Sequence, residues 1–128
     1  MGIKDKLKVM VVDDMSTSRG LLVQSLENMG ISQVRSAGHA SEALGELGQR
    51  PAHLVISDLN MPDIDGLQFL ERIRTDPKLK GMGFILITGR ADADIVTRGK
   101  RLGMNNFIKK PFTPADLKAC IEAVTGRL

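Results

Sequence analysis

Three carboxylates, a hydroxyl and an ammonium group stand where apolar runs of this chain end. Asp13 and Asp14 close the run Lys8-Val9-Met10-Val11-Val12, and Asp58 closes Leu54-Val55-Ile56-Ser57. Thr88 closes Phe84-Ile85-Leu86-Ile87, and Lys110 follows Phe107-Ile108-Lys109 just before Pro111. Each has an ordinary explanation by itself: an Asp after a strand often caps the next helix, a Thr satisfies backbone groups, and Lys-Pro marks a turn. Their joint placement points to chemistry. If the runs are parallel strands of one sheet, their ends meet at the edge where open α/β sheets hold ligands. Three convergent carboxylates repel one another and favour the protonated form. A hard divalent cation relieves that repulsion, and Mg²⁺ suits two or three carboxylates with a carbonyl. The cation and Lys110 would together neutralise a phosphoryl group. Phosphoryl transfer demands mainly positioning and charge neutralisation, and a carboxylate can serve as its nucleophile, forming an acyl phosphate. Thr88 would then donate a hydrogen bond to a phosphoryl oxygen.

The elements that must position these groups alternate regularly. Strands are expected at Lys8–Val12, Gln33–Ala37, Leu54–Asp58, Phe84–Thr88 and around Phe107-Ile108. Helical spacing of apolar residues marks Leu21, Leu22, Leu26 and Met29, then Ala43, Leu44 and Leu47, then Leu67, Leu70 and Ile73, then Ile95, Val96 and Leu102. A last helix opens with Thr113 as N-cap and Pro114 at its first position, and carries Leu117, Cys120, Ile121, Val124 and Leu128 on one face. Five β–α repeats require a parallel sheet with right-handed crossovers and helices on both faces.

Composition narrows the classes. The chain has 128 residues, 42% apolar and 26% charged, which suits one soluble domain. Seven Met and four Phe, with no Trp or Tyr, make the core aliphatic. The lone Cys120 excludes an internal disulfide and fits a reducing compartment. No apolar run approaches the ~18 residues of a membrane span. A cytoplasmic location, with no membrane partner, is therefore expected. The net charge of +3 is mildly basic, but Lys and Arg are not interleaved with aromatics, so no nucleic-acid partner is expected.

Four motifs together resemble the receiver domains of two-component response regulators, and most closely the single-domain chemotaxis members. They are Val11-Val12-Asp13-Asp14-Met15-Ser16, Asp58-Leu59-Asn60-Met61-Pro62-Asp63-Ile64-Asp65-Gly66, Thr88-Gly89 and Lys109-Lys110-Pro111-Phe112. The resemblance implies a flavodoxin-like (βα)5 doubly wound sheet in the order 2-1-3-4-5. It implies one receiver domain over residues 1–128 with no output domain. It makes Asp58 the phosphoacceptor. One Mg²⁺ would be held by Asp13, Asp14, Asp58 and the Asn60 backbone carbonyl. Lys110 would pair with the phosphoryl group, and Thr88 and Phe107 would form the switch. A cis bond at Lys110-Pro111 is implied as well.

The resemblance further implies a histidine kinase as phosphodonor, a monomer that turns over no external substrate, and a role for a phosphatase. The output face, made by the fourth crossover helix, the fifth strand and the last helix, carries Arg90, Arg98, Lys100, Arg101 and Lys109. These would dock an acidic target, foremost the flagellar motor switch protein. Arg90 stands two after Thr88, where an acidic residue is common in the chemotaxis members. Two alternatives remain at this point. One is a phosphorelay intermediate or phosphate sink without a motor target. The other is an aspartyl-nucleophile phosphatase, for which the chain is short of a substrate cap.

Overall fold

Val, Ile and Leu crowd the strand segments because a parallel sheet is covered on both faces and tolerates few polar side chains inside. The computed structural model describes residues 3–89 and 92–128. In chain order the elements are α1 (Ile3–Lys6), β1 (Lys8–Val12), α2 (Ser16–Asn28), β2 (Gln33–Ala37), α3 (Ala40–Gln49) and β3 (Leu54–Asp58). There follow α4 (Gly66–Thr75), β4 (Gly83–Thr88), α5 (Ala93–Leu102), β5 (Asn106–Lys109) and α6 (Pro114–Thr125). The strands form one sheet in the order β2-β1-β3-β4-β5, with every pairing parallel. This is the doubly wound, flavodoxin-like arrangement.

Alternation along the strands sorts side chains into two cores. Met10, Val12, Val55, Phe84 and Leu86 face one side, with Ala43 and Leu47 of α3, Leu67, Leu70 and Ile73 of α4, and Ile95 of α5. Val9, Val11, Leu54, Ile56, Ile85 and Ile87 face the other, with Leu22 and Leu26 of α2 and Leu117 and Ile121 of α6. Each fully buried aliphatic side chain contributes about 1.5–3 kcal/mol of transfer free energy. Phe69 meets Phe84 edge to face, with ring centroids 5.8 Å apart.

The register aligns the strand ends. Val12 lies opposite Ser57, Asp58 opposite Ile87, and Thr88 opposite Lys109. At the other edge of the sheet, Arg74 in the last turn of α4 ties three segments together. Its Nε and Nη2 donate to the Gly103 carbonyl, its Nη1 to the carbonyls of Lys80 and Met82, and its Nη2 to Asn105 Oδ1.

Two details differ from expectation, and three agree with it. A sixth helix, Ile3–Lys6, precedes β1; four residues are too short to show a period in the sequence. Leu21 is 62% exposed instead of facing the core, since it neighbours Leu22 and a helix turns about 100° per residue. The thiol of Cys120 is buried as expected, and burial pushes its pKa up. Thr113 and Asp116 form a reciprocal capping box. The Lys110-Pro111 peptide bond is cis.

Candidate functional site

The carboxyl edge of the sheet is built first by what holds Asp13. Its N–H donates to the Ala37 carbonyl at 3.2 Å, and its Oδ1 accepts from the Met15 N–H at 3.0 Å. Its own carbonyl accepts from Arg19 Nη1 at 2.8 Å. The remaining oxygen, Oδ2, is buried and has no hydrogen-bond partner among the described residues. A buried carboxylate oxygen left bare is costly, so this atom calls for a cation or a further donor.

Asp58 ends β3 in the same crevice. Its Oδ1 accepts from the Leu59 N–H at 2.9 Å, and its Oδ2 lies 3.4 Å from Lys110 Nζ. Lys110 is brought there by its own N–H, which donates to the Thr88 carbonyl at 2.9 Å. Thr88 is buried beside it. One carboxylate oxygen each from Asp13, Asp14 and Asp58 lie within 4.8 Å of one another. Burial pushes the Asp58 carboxyl above its usual pKa; Lys110 pulls it down, and Asp13 pushes it up again. Among the described residues, three acids face one ammonium, which leaves the cluster short of positive charge. The donor set is all oxygen, with one oxygen bare, and so fits a hard divalent ion.

The loop after β3 forms a wall. A cleft of about 530 Å³ is lined by Asp14, Asp58, Asn60, Met61, Gly89 and Lys110, among others. Asn60 is exposed there. Gly66 opens α4 directly behind the acceptor: a Cβ on it would stand 2.6 Å from the Asp58 carbonyl oxygen and 2.8 Å from Leu86 Cδ1. No other residue type allows that approach. Asp63, in the same loop, accepts from the N–H and the hydroxyl of Ser41, at 2.9 and 2.6 Å. These bonds, the Ser41 hydroxyl first, hold its carboxyl well below the usual range and anchor the loop to the start of α3.

The structure thus brings together Asp13, Asp14, Asp58, Thr88 and Lys110. Phe107 is half-buried against the core on the Met10 side of the sheet. Arg98, Lys100, Arg101 and Lys109 are exposed, and Arg98 is paired with Asp94 at 3.8 Å. Arg90 lies outside the described residues. Sequence reasoning missed Arg19, whose carbonyl bond to Asp13 leaves no trace in a pattern. It also missed an apolar groove of about 500 Å³ lined by Met15, Leu21, Leu22, Pro111, Phe112 and Pro114. Met15 and Lys110 line both this groove and the cleft at Asp58. The exposure of Met15 (60%) and Leu21 is its signature.

Residues 9–122 match the response regulator receiver domain family. The chain is 46% identical over 128 residues to the "Probable chemotaxis protein CheY" of Rhizobium etli, covering 100% of this chain and 99% of the relative. It is 36% identical over 121 residues to the chemotaxis protein CheY1 of Helicobacter pylori, covering 94% of this chain and 98% of that one. Among solved structures, the chemotaxis protein CheY4 of Vibrio cholerae superposes with a TM-score of 0.87 at 28% identity, over 92% of this chain and 98% of that one. No helix among the described residues is long and apolar enough to cross a membrane.

Proposed function

This chain belongs to the response regulator receiver domain family, in its CheY-like chemotaxis branch, and on that premise we propose that it accepts a phosphoryl group on Asp58 from a histidine kinase. The observation that carries the reading is the trio of carboxylates within 4.8 Å, with Lys110 Nζ 3.4 Å from Asp58 and Asp13 Oδ2 buried without a hydrogen-bond partner among the described residues.

Asp58 Oδ1 is engaged by a main-chain amide, which leaves Oδ2 facing Lys110 as the attacking atom. The Oδ2–P bond forms as the N–P bond of the phosphohistidine breaks, and the freed imidazole takes up a proton. Lys110 balances the charge of the transferred group. Asp13, Asp14, Asp58 and the Asn60 carbonyl would hold Mg²⁺, which supplies further charge neutralisation when bound. The apolar groove shares Met15 and Lys110 with the cleft, so a helical phosphodonor domain resting on it would bring its histidine to Asp58. No external substrate is turned over.

Thr88, buried one strand away from Asp58, then bonds the phosphoryl group, and Phe107 fills the space this leaves. The face formed by α5, β5 and α6 changes shape, a two-state element biased by local charge. Its exposed Arg98, Lys100, Arg101 and Lys109 suit an acidic target such as the flagellar motor switch protein. The Asp94–Arg98 pair removes part of that charge, and this favours a second reading as a phosphate sink without a motor target. A phosphatase and a cytoplasmic setting complete the proposal.

Incubation with Mg²⁺ and acetyl phosphate tests the central assignment. The wild type should gain one acid-stable, alkali-labile phosphoryl group and Asp58→Ala none. Equal labelling of the variant would overturn the reading.

A further inference from the structure

A second polar crevice lies where β1 and β2 begin, at the edge of the sheet opposite Asp58. Its volume is about 390 Å³, and Lys8, Ser32, Val34, Arg35, Arg50 and Pro51 are among the residues that line it. Three of these are cations, and among the described residues no carboxylate lines it. Arg35 stands in the middle of β2, opposite Met10 of β1. Its Nη2 donates to the Arg50 carbonyl at 2.7 Å and to the Pro51 carbonyl at 3.4 Å, just past the end of α3. These bonds hold the guanidinium against the negative end of the α3 dipole. Its Nη1 is buried and has no hydrogen-bond partner. Among the described residues, one other buried side-chain atom shares that condition, Asp13 Oδ2 at the chemical site. The bare oxygen there asks for a cation. The bare nitrogen here asks for an anion.

A guanidinium bonded to neutral carbonyls has part of its hydrogen bonding met but not its charge. Lys8 and Arg50, both exposed, add positive charge to the same crevice. A carboxylate would set one negative charge against three cations. A phosphate monoester brings nearly two, with three acceptor oxygens that suit a guanidinium fork. The crevice is of the size of small-molecule sites, and Val34 and Pro51 offer apolar surface to an organic group. We propose that it binds the phosphate monoester of a small molecule, with Arg35 as the anchor and Lys8 and Arg50 closing on the phosphate. The site is separate from Asp58 and needs neither Mg²⁺ nor phosphoryl transfer.

Amide NMR of the isotope-labelled full chain, in EDTA without Mg²⁺, tests this by titration with adenosine 5′-monophosphate, glucose 6-phosphate, inorganic phosphate and adenosine. Saturable shifts are expected at residues 32–35, 50 and 52 with at least one monoester, with a Kd at or below about 1 mM. Inorganic phosphate should bind more weakly and adenosine not at all. Binding of one monoester alone would support the site and tell a nucleotide from a sugar phosphate. Arg35→Gln should weaken binding about tenfold or more, as loss of a charge-assisted bond implies. Arg50→Gln leaves its main-chain carbonyl for Arg35 Nη2, so it should weaken binding several-fold with thermal unfolding unchanged. That variant carries the test if Arg35→Gln fails to fold. Undiminished binding in Arg50→Gln and Lys8→Gln would overturn the proposal, with Arg35 left as a clamp on α3. No saturable shift with any probe, or shifts centred on residues 13–15, 58 and 110, would also overturn it.

Discussion

The two edges of the sheet meet the same physical demand in opposite ways. Buried polar groups must be paired. At the amino edge of β4 and β5 the requirement is met inside the chain: Arg74 is a half-buried cation bonded to the oxygens of Lys80, Met82, Gly103 and Asn105. At the carboxyl edge it is left open. Asp13, Asp14 and Asp58 crowd together, and Asp13 Oδ2 has no hydrogen-bond partner among the described residues. A closed arrangement is scaffold, whereas an open one is a place for a ligand. The difference explains how one fold can hold a charged, reactive cleft without losing its shape.

Breaking the closed edge should cost the most stability. Arg74→Met leaves the part-buried Met82 carbonyl without its donor, at about 1–3 kcal/mol, while the exposed Lys80 and Gly103 carbonyls turn to water. A loss of about 3 kcal/mol in urea unfolding is expected, with phosphorylation of Asp58 retained. Gly66→Ala attacks the open edge from behind, by forcing a methyl against the Asp58 carbonyl. Overpacking of this kind costs about 2 kcal/mol, and here the initial rate of phosphorylation should fall too, because the acceptor moves. A Gly66→Ala protein with normal stability would show that the two edges are not so different.

Smaller effects sharpen the comparison. Asp58 has its folded-state pKa raised by burial, so the folded protein holds that proton more tightly than the unfolded chain. Its contribution is present below the ordinary value of 3.8 and is lost as pH rises through the raised one. At pH 7 without metal, Asp58→Asn should therefore gain stability, by about 1 kcal/mol, the order of one unfavourable charge contact. The gain should shrink as pH falls toward 4. Asp63 has the opposite sign. Its depressed pKa gives stability that is present above 3.8 and lost as pH falls below it. Asp63→Asn should lose about 0.5–1 kcal/mol at pH 7, and the difference should close in acid, as measured by thermal unfolding across pH.

Much of this was legible from residue order. Asp13, Asp14, Asp58, Thr88 and Lys110 each follow an apolar run, and parallel pairing does the rest, so their convergence needed only the strand pattern. Gly66 was visible as a turn residue, but its close contact with the Asp58 carbonyl belongs to three dimensions. Arg74 was hidden for a different reason. A basic residue in the last turn of a helix reads as a partner of the helix dipole, and nothing in the sequence says that its acceptors lie on two other loops. Leu21 misled because helical spacing identifies a stripe only to within a neighbouring residue. The groove it forms with Met15 therefore went unseen.

The most direct test asks where the phosphoryl group goes. The protein is incubated with acetyl phosphate and Mg²⁺, reduced with borohydride, and sequenced by tandem mass spectrometry. Reduction turns an aspartyl phosphate into homoserine. Conversion at Asp58, dependent on the divalent ion and absent at Asp13 and Asp14, is the predicted result. Conversion at Asp13 or Asp14, or none at all in the folded protein, would contradict the account.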